Sequence, residues 1–407
     1  MAETVCAGPF CSCIKTSERL NGYCMSDYTN AFYKKTARIM IAVCGLLFSL
    51  FSFVYLYVFQ RDVLEALHFS LAHGKTTFAP MASALVITLI LLLLRWGVNS
   101  LLGLKGRVRA LAYVPSFLVL CALTDVGRGV YISDYHTPWT WLLPLLVLLF
   151  VGIGYWLRGV FRVQLNHEGS LWGLVNSNLA ILLGLCLLTV CVGSTNRQFH
   201  HELEAEHYLR AGEYDKVLRV GEKSLEASRT LTAYRAVALS RLGKMGDRLF
   251  AYPQYYRSDG LFFETDSLHT LRYTNDSIYY LLGARPYTGE DRMVFLRNIC
   301  YKGTGKYTSL DYYLSALLLE KKLDSFAQAV PDFYLPEDTL PRYYREALVM
   351  YHVQRNDTVS SRADSLTLDR FKAYQTLQQK EGSPLEERNR MRREFGDTYW
   401  WYYDYQE

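Results

Sequence analysis

Five long apolar segments crowd the chain before Ser194, and they constrain its fold more than any other feature. They are Ile39–Phe59 (IMIAVCGLLFSLFSFVYLYVF), Phe78–Leu94, Ala110–Thr124, Trp139–Leu157 and Leu171–Gly193. A helix needs about 20 mostly apolar residues to cross a bilayer, and the first segment supplies 21 without a charge. The third is shorter and extends to Ile132 only by taking in Asp125 and Arg128. The fourth opens on Trp139 and Trp141 and closes on Tyr155 and Trp156, as residues at a bilayer interface do. The first segment is too long for a removed signal peptide, and no small-residue cleavage site follows it. Ile41-Ala42-Val43-Cys44 has a weak likeness to a lipoprotein signal, but a further apolar run follows the cysteine. The expectation is an uncleaved, five-span membrane domain over 39–193, preceded by a cytoplasmic tail over 1–38.

Charge supplies the orientation. Lys34, Lys35, Arg38, Arg95, Lys105, Arg107, Arg109, Arg158 and Arg162 fall in the tail and the loops on one side, against Arg61, Lys75 and Arg128 on the other. Basic residues collect on the cytoplasmic side. The N-terminus is therefore expected inside, and everything after Ser194 outside. Residues 1–193 hold 14 Lys/Arg and 8 Asp/Glu, whereas residues 194–407 hold 30 and 31. The basic excess belongs to the membrane half, which argues against a nucleic-acid partner.

Four of nine cysteines, Cys6, Cys11, Cys13 and Cys24, lie in the first 24 residues. Their spacing matches no zinc pattern, and on the cytoplasmic side they stay reduced. The stretch MSDYTNAFYKKTARIM makes Met25 a second candidate start, which leaves 1–24 untranslated. Cys44, Cys121, Cys186 and Cys191 sit in apolar segments, where cysteine acts as a small hydrophobe. Only Cys300 remains for the outside domain, so no disulfide framework holds it and no metal or other cofactor is expected.

The outside domain, 194–407, shows no sustained strand alternation and reads as all-α. In HYLRAGEYDKVLRVGEKSL, Gly212-Glu213-Tyr214 opens a helix with apolar positions at Tyr214, Val217, Leu218 and Leu225. A second helix follows over about 231–242, small on one face through Ala233, Ala236, Val237, Ala238 and Ser240, and stops at Gly243. This pair resembles a tetratricopeptide repeat over roughly one unit, which implies stacked helix pairs and a groove for a protein partner. Residues 250–274 read as an irregular connection. Further helices are expected over 276–282, 291–300, 310–321, 323–332, 342–353, 362–380 and 385–403, separated by glycine and proline breaks.

The whole pattern, with several membrane segments, then Gly-Glu-Tyr, ALSRLGKMGDRLFAYPQ, LPRYYREALVMY and a terminal FGDTYWWYYDYQ, resembles a family of uncharacterised Bacteroidota inner-membrane proteins. That resemblance implies a bacterial inner membrane, a periplasmic helical domain and no established activity.

Four groups of residues carry candidate chemistry. Asp62, Glu65, His68 and His73 lie in the first outside loop, where lipid-carrier glycosyltransferases place an acidic general base. Asp62 is the residue for that role, and the alternative is an amphipathic interfacial helix with Leu64, Leu67 and Leu71 toward lipid. Asp125 and Arg128 are candidates to pair at the outer end of the third segment. His200, Glu204 and His207 share a helix face, set against a plain solvated linker helix. Tyr399, Trp400, Trp401 and Tyr402 are candidates for stacking on sugars, set against a final helix packed on its neighbours. No phosphate-binding loop, dinucleotide fingerprint or nucleophile elbow is present. The function expected is a membrane-anchored scaffold presenting a helical domain to a protein partner. The competing reading is a glycosyltransferase-like membrane enzyme acting through Asp62.

Overall fold

The computed structural model describes residues 35–131, 137–156, 171–264, 272–335, 339–355, 365–379 and 383–406. Every regular element among the described residues is helical. The chain divides into two compact units, one formed by 1–126 and 136–195, the other by 127–135 and 196–407. The N-terminal cysteines and the Met25 start lie outside the described residues.

In the first unit, α1 (Lys35–Phe59) ends in a π-helical turn from Tyr55. Then come α2 (Arg61–Ala72) and α3 (Pro80–Leu102). A 3-10 stretch, Gly106–Tyr113, runs directly into α4 (Val114–Thr124), and α5 (Trp139–Trp156) and α6 (Leu171–Val192) complete the unit. Five helices, counting Gly106–Thr124 as one, are long and apolar enough to span a bilayer, compatible with a membrane protein. The second segment continues past Leu94 to Leu102, because nothing interrupts it before Gly103 turns left-handed at φ +63°. The third does not reach Ile132. It stops at Thr124, and Arg128–Tyr131 forms a separate 3-10 turn.

Aliphatic side chains on these helices stay on the outside: Leu85 and Leu89 of α3, Leu148 and Leu149 of α5, Leu183 and Leu187 of α6. A soluble monomer seldom exposes so broad an apolar belt. Inside, Phe48 packs against Tyr113 and Phe117 at ring distances of 4.8 and 5.1 Å. Polar atoms join helices across this core. The Ser116 hydroxyl donates to the Leu91 carbonyl at 2.8 Å, and Tyr55 donates to the Thr189 carbonyl at 3.4 Å. Gln60 Nε2 donates to the Ser194 carbonyl (3.2 Å), and the Ser194 N–H to the Thr124 carbonyl (2.9 Å). The C-terminal ends of α1, α4 and α6 therefore lie at one level.

The second unit contains α7 (Arg197–Ala211), α8 (Tyr214–Arg219), α9 (Arg229–Arg241), α10 (Met245–Arg248), α11 (Asn275–Leu282), α12 (Arg292–Tyr301), α13 (Tyr307–Leu319), α14 (Leu323–Phe333), α15 (Arg342–Gln354), α16 (Ser365–Gln378), α17 (Pro384–Phe395) and α18 (Tyr399–Tyr405). One turn recurs. Gly212, Gly243 and Lys321 each adopt a left-handed conformation just after a helix. Each time the next N–H reaches back five residues: Glu213 to the Tyr208 carbonyl, Lys244 to Leu239 and Lys322 to Leu317. This Schellman closure satisfies the last carbonyls and starts the next helix at once, giving the hairpins α7–α8, α9–α10 and α13–α14. At Gly212 no atom lies within 4 Å of an added Cβ, so the positive φ of 73° is what selects glycine there.

The opening hairpin differs from expectation in detail. Val217 and Leu218 are buried, while Tyr214 is half-buried. α8 stops at Arg219 rather than Leu225, because Val220 turns extended and Gly221 left-handed. Leu225 is consequently 57% exposed. Helix α9 is buried almost all round, including Arg235, whose Nη2 donates to the Val220 carbonyl at 2.7 Å. The helix expected over 385–403 is two helices. Thr398 divides them, donating its hydroxyl to the Phe395 carbonyl and accepting the Trp401 N–H.

Candidate functional site

The residues singled out from the sequence are largely absorbed by packing. Asp62 lies half-buried in the first turn of α2. That helix turns Val63, Leu64 and Ala66 inward, so Leu64 is a core residue at 5% exposure, while Leu71 stays outside. His68 shares a hydrogen bond with Thr76 (3.2 Å) and packs on Phe78. Asp125 accepts from Trp139 Nε1 at 2.8 Å, while Arg128 pairs with Glu202. The two do not form the pair expected of them.

The aromatic tail is core. Tyr399 and Trp400 are fully buried, and Trp401 and Tyr402 nearly so. Phe250 packs on Tyr399 and Tyr402 (5.2 and 4.8 Å), and Phe371 on Trp400 (5.0 Å). The Trp400 indole donates to the Glu346 carbonyl, and Tyr402 to the Leu319 carbonyl. Protein atoms occupy the ring faces that sugar stacking would need. Beneath them the Glu346 carboxylate, which burial pushes upward in pKa, is held by Arg342 Nε (2.8 Å) and the Tyr399 N–H (2.8 Å).

A site that the sequence reading missed lies on α7. His200, Glu204 and His207 are only half-buried, and among the described residues no three His, Cys, Asp or Glu side chains come together as a metal set. The face that matters is the next one round. Phe199, Leu203 and Leu209 point into the core, and Glu202 and Glu206, four residues apart, are buried with them. Carboxylates this deep require partners. Arg128 Nη2 lies 2.7 Å from Glu202 Oε1, and Arg272 Nε lies 3.3 Å from Glu206 Oε1. The Tyr131 hydroxyl donates to Glu206 Oε2 at 3.0 Å, under the Arg272 guanidinium. Tyr234 also lines the site. Burial, reinforced by Glu206, holds its phenol well above the usual value, so it remains a neutral hydrogen-bonding group.

Arg128, Tyr131, Glu202, Glu206 and Tyr234 border a pocket of about 200 Å³ whose wall also includes Gln198, Ser228 and Tyr256. The wall carries Arg128 and Arg229 beside Glu202, Glu206 and Glu264, with Arg272 paired to Glu206 behind it, so charges of both signs face the space. The available signal was the stripe Phe199, Leu203, Glu206, Leu209, whose three- and four-residue spacing put an acid on the apolar face.

The sequence profile of a family of unknown function, DUF6057, matches residues 136–287 and 287–406. No curated protein and no solved structure matches. The profile covers α5, α6 and nearly all of the second unit, well over half of the chain, so the protein belongs to the DUF6057 family.

Proposed function

We propose that the protein is a five-span inner-membrane anchor whose helical second unit, tetratricopeptide-like and periplasmic, binds a polypeptide partner in a Bacteroidota cell. The observation that carries this reading is the triple use of one Schellman-closed hairpin in α7–α8, α9–α10 and α13–α14. Such hairpins build arrays whose grooves hold peptides, and the pocket beside Glu202 and Glu206 offers polar groups to a backbone. The topology draws support from two features. The chain ends of three apolar helices meet at Ser194, Gln60 and Thr124. The 127–131 turn belongs to the same unit as residues after 196, which agrees with α5 and α6 both crossing.

Site-specific photocrosslinking tests it. A crosslinker at Tyr256, on the pocket wall, should trap one discrete partner in intact cells, and one at exposed Arg219 should not. Equal, diffuse adducts at both positions would end the scaffold reading. Asp62→Asn distinguishes the competing enzyme reading, since a scaffold retains the crosslink and its cellular role when that acid is neutralised.

A further inference from the structure

A second pocket lies in the first unit, at the opposite ends of the helices from Ser194. It is lined by the start of α1 (Ala37, Met40, Ile41, Cys44), by Arg95 of α3, by Arg109 and Tyr113 of the 3-10 stretch, and by Leu174 and Asn178 of α6. Asn178 builds its wall. Its Oδ1 accepts the Ala110 N–H at 2.8 Å, and its Nδ2 donates to the Gly106 and Leu174 carbonyls at 3.0 and 2.8 Å. Its own bonding is thereby used up in holding the 3-10 stretch against α6.

Three other polar atoms at the pocket are not satisfied. Arg95 Nε, Arg109 Nε and the Tyr113 hydroxyl are buried without a hydrogen-bond partner. Tyr113 is 1% exposed. The Arg95 guanidinium stands 4.9 Å over the Tyr113 ring. Among the described residues no acidic side chain lines the pocket, and neither arginine makes an ion pair. Two guanidinium groups and a buried hydroxyl donor, set among described lining residues that carry no carboxylate, leave a deficit of negative charge and of acceptors there. The space of about 40 Å³ exceeds the roughly 10–15 Å³ that one water needs.

We propose that this pocket binds a phosphate-bearing anion, with Arg95 and Arg109 pairing to its oxygens and Tyr113 donating a hydrogen bond. Guanidinium forks match phosphate geometry. The same pocket has an apolar wall in Met40, Ile41 and Leu174, which fits the glycerol and upper acyl region of a phospholipid. Basic recesses between membrane helices on the cytoplasmic side hold acidic headgroups in this way. The site is independent of the partner-binding reading of the second unit.

The test uses the full chain in neutral detergent and native mass spectrometry, with phosphatidylglycerol, phosphatidylcholine and inorganic phosphate as probes. Phosphatidylglycerol should be retained about tenfold more strongly than phosphatidylcholine. Arg95→Gln and Arg109→Gln should abolish that preference, and Lys105→Gln, exposed and outside the pocket, should leave it intact. If millimolar inorganic phosphate displaces the lipid, or binds in its place, the anion is a soluble phosphate. If it does not, the anion is a headgroup. Should the arginine variants fail to fold, Tyr113→Phe decides, because it keeps the ring packing and removes only the donor. Equal retention of both lipids with no phosphate binding, or an undiminished preference in the pocket variants, overturns the proposal.

Discussion

Removing Arg128 tests the Glu202 site most directly. The Arg128 side chain is 38% exposed, whereas that of Glu202 is 5% exposed, and they meet at 2.7 Å. Arg128→Ala leaves a carboxylate inside the protein without its nearest cation. Breaking a fully buried pair in this way costs about 3–5 kcal/mol. Solvent screens the Arg128 side, so the expected loss is smaller, about 1.5–3 kcal/mol. For a unit of some 200 residues, 1 kcal/mol moves the midpoint by about 2–4 °C, so a fall of roughly 3–12 °C is expected. The assay is thermal unfolding of the full chain in detergent, followed by tryptophan fluorescence, for Arg128→Ala, Glu202→Gln and the double variant. Glu202→Gln removes the charge that Arg128 neutralises. Adding it should therefore recover much of the loss, with a coupling of about 1–2 kcal/mol between the two sites. If Arg128→Ala melts within a degree of the parent, or if the two changes add without coupling, the ion pair does not hold this site together and the charge argument fails.

Three further outcomes are expected. Leu218→Ala, at 2% exposure, should lower stability by about 2–5 kcal/mol, with half-buried Tyr214→Ala costing less and exposed Arg219→Ala almost nothing; equal melting of all three would remove the hairpin from the core. Burial, aided by the charge of Asp247, raises the pKa of Asp311 to about 6, so its folded state holds a proton that the unfolded state releases above about pH 4. Stability should fall as pH rises from 4 through 6, and Asp311→Asn should be more stable than the parent by about 1–3 kcal/mol at pH 7.5 but equal near pH 4, as urea melts at the two pH values would show. Alkaline phosphatase fused after Glu407 should be active and fused after Arg107 inactive; the reverse pattern would invert the topology.

The parts of this protein legible in its sequence are those set by neighbours along the chain. Length and apolarity mark five membrane-competent helices because a bilayer imposes one dimension on every span. Glycine marks Gly212 and Gly243 because a left-handed helix end is a property of single residues. The helices expected over 310–321 and 323–332 bracket the turn at Lys321 with no glycine to mark it; there a lysine takes the left-handed conformation and its Nζ reaches the Gln406 carbonyl and the rings of Tyr402 and Tyr403. That conformation is supported by residues some eighty positions away. Which stripe of α7 turns inward, and with what partner, was likewise a tertiary decision. His200, Glu204 and His207 share a face by spacing alone. Glu202 and Glu206, however, become a site only because Arg128, Tyr131 and Arg272 arrive from distant segments to neutralise them. The aromatic tail makes the same point, since six rings in seven residues can serve as a sugar platform or as a packed final helix. Burial against Phe250, Phe371 and Glu346 decides between them, because the free energy of an aromatic residue depends on what covers its faces.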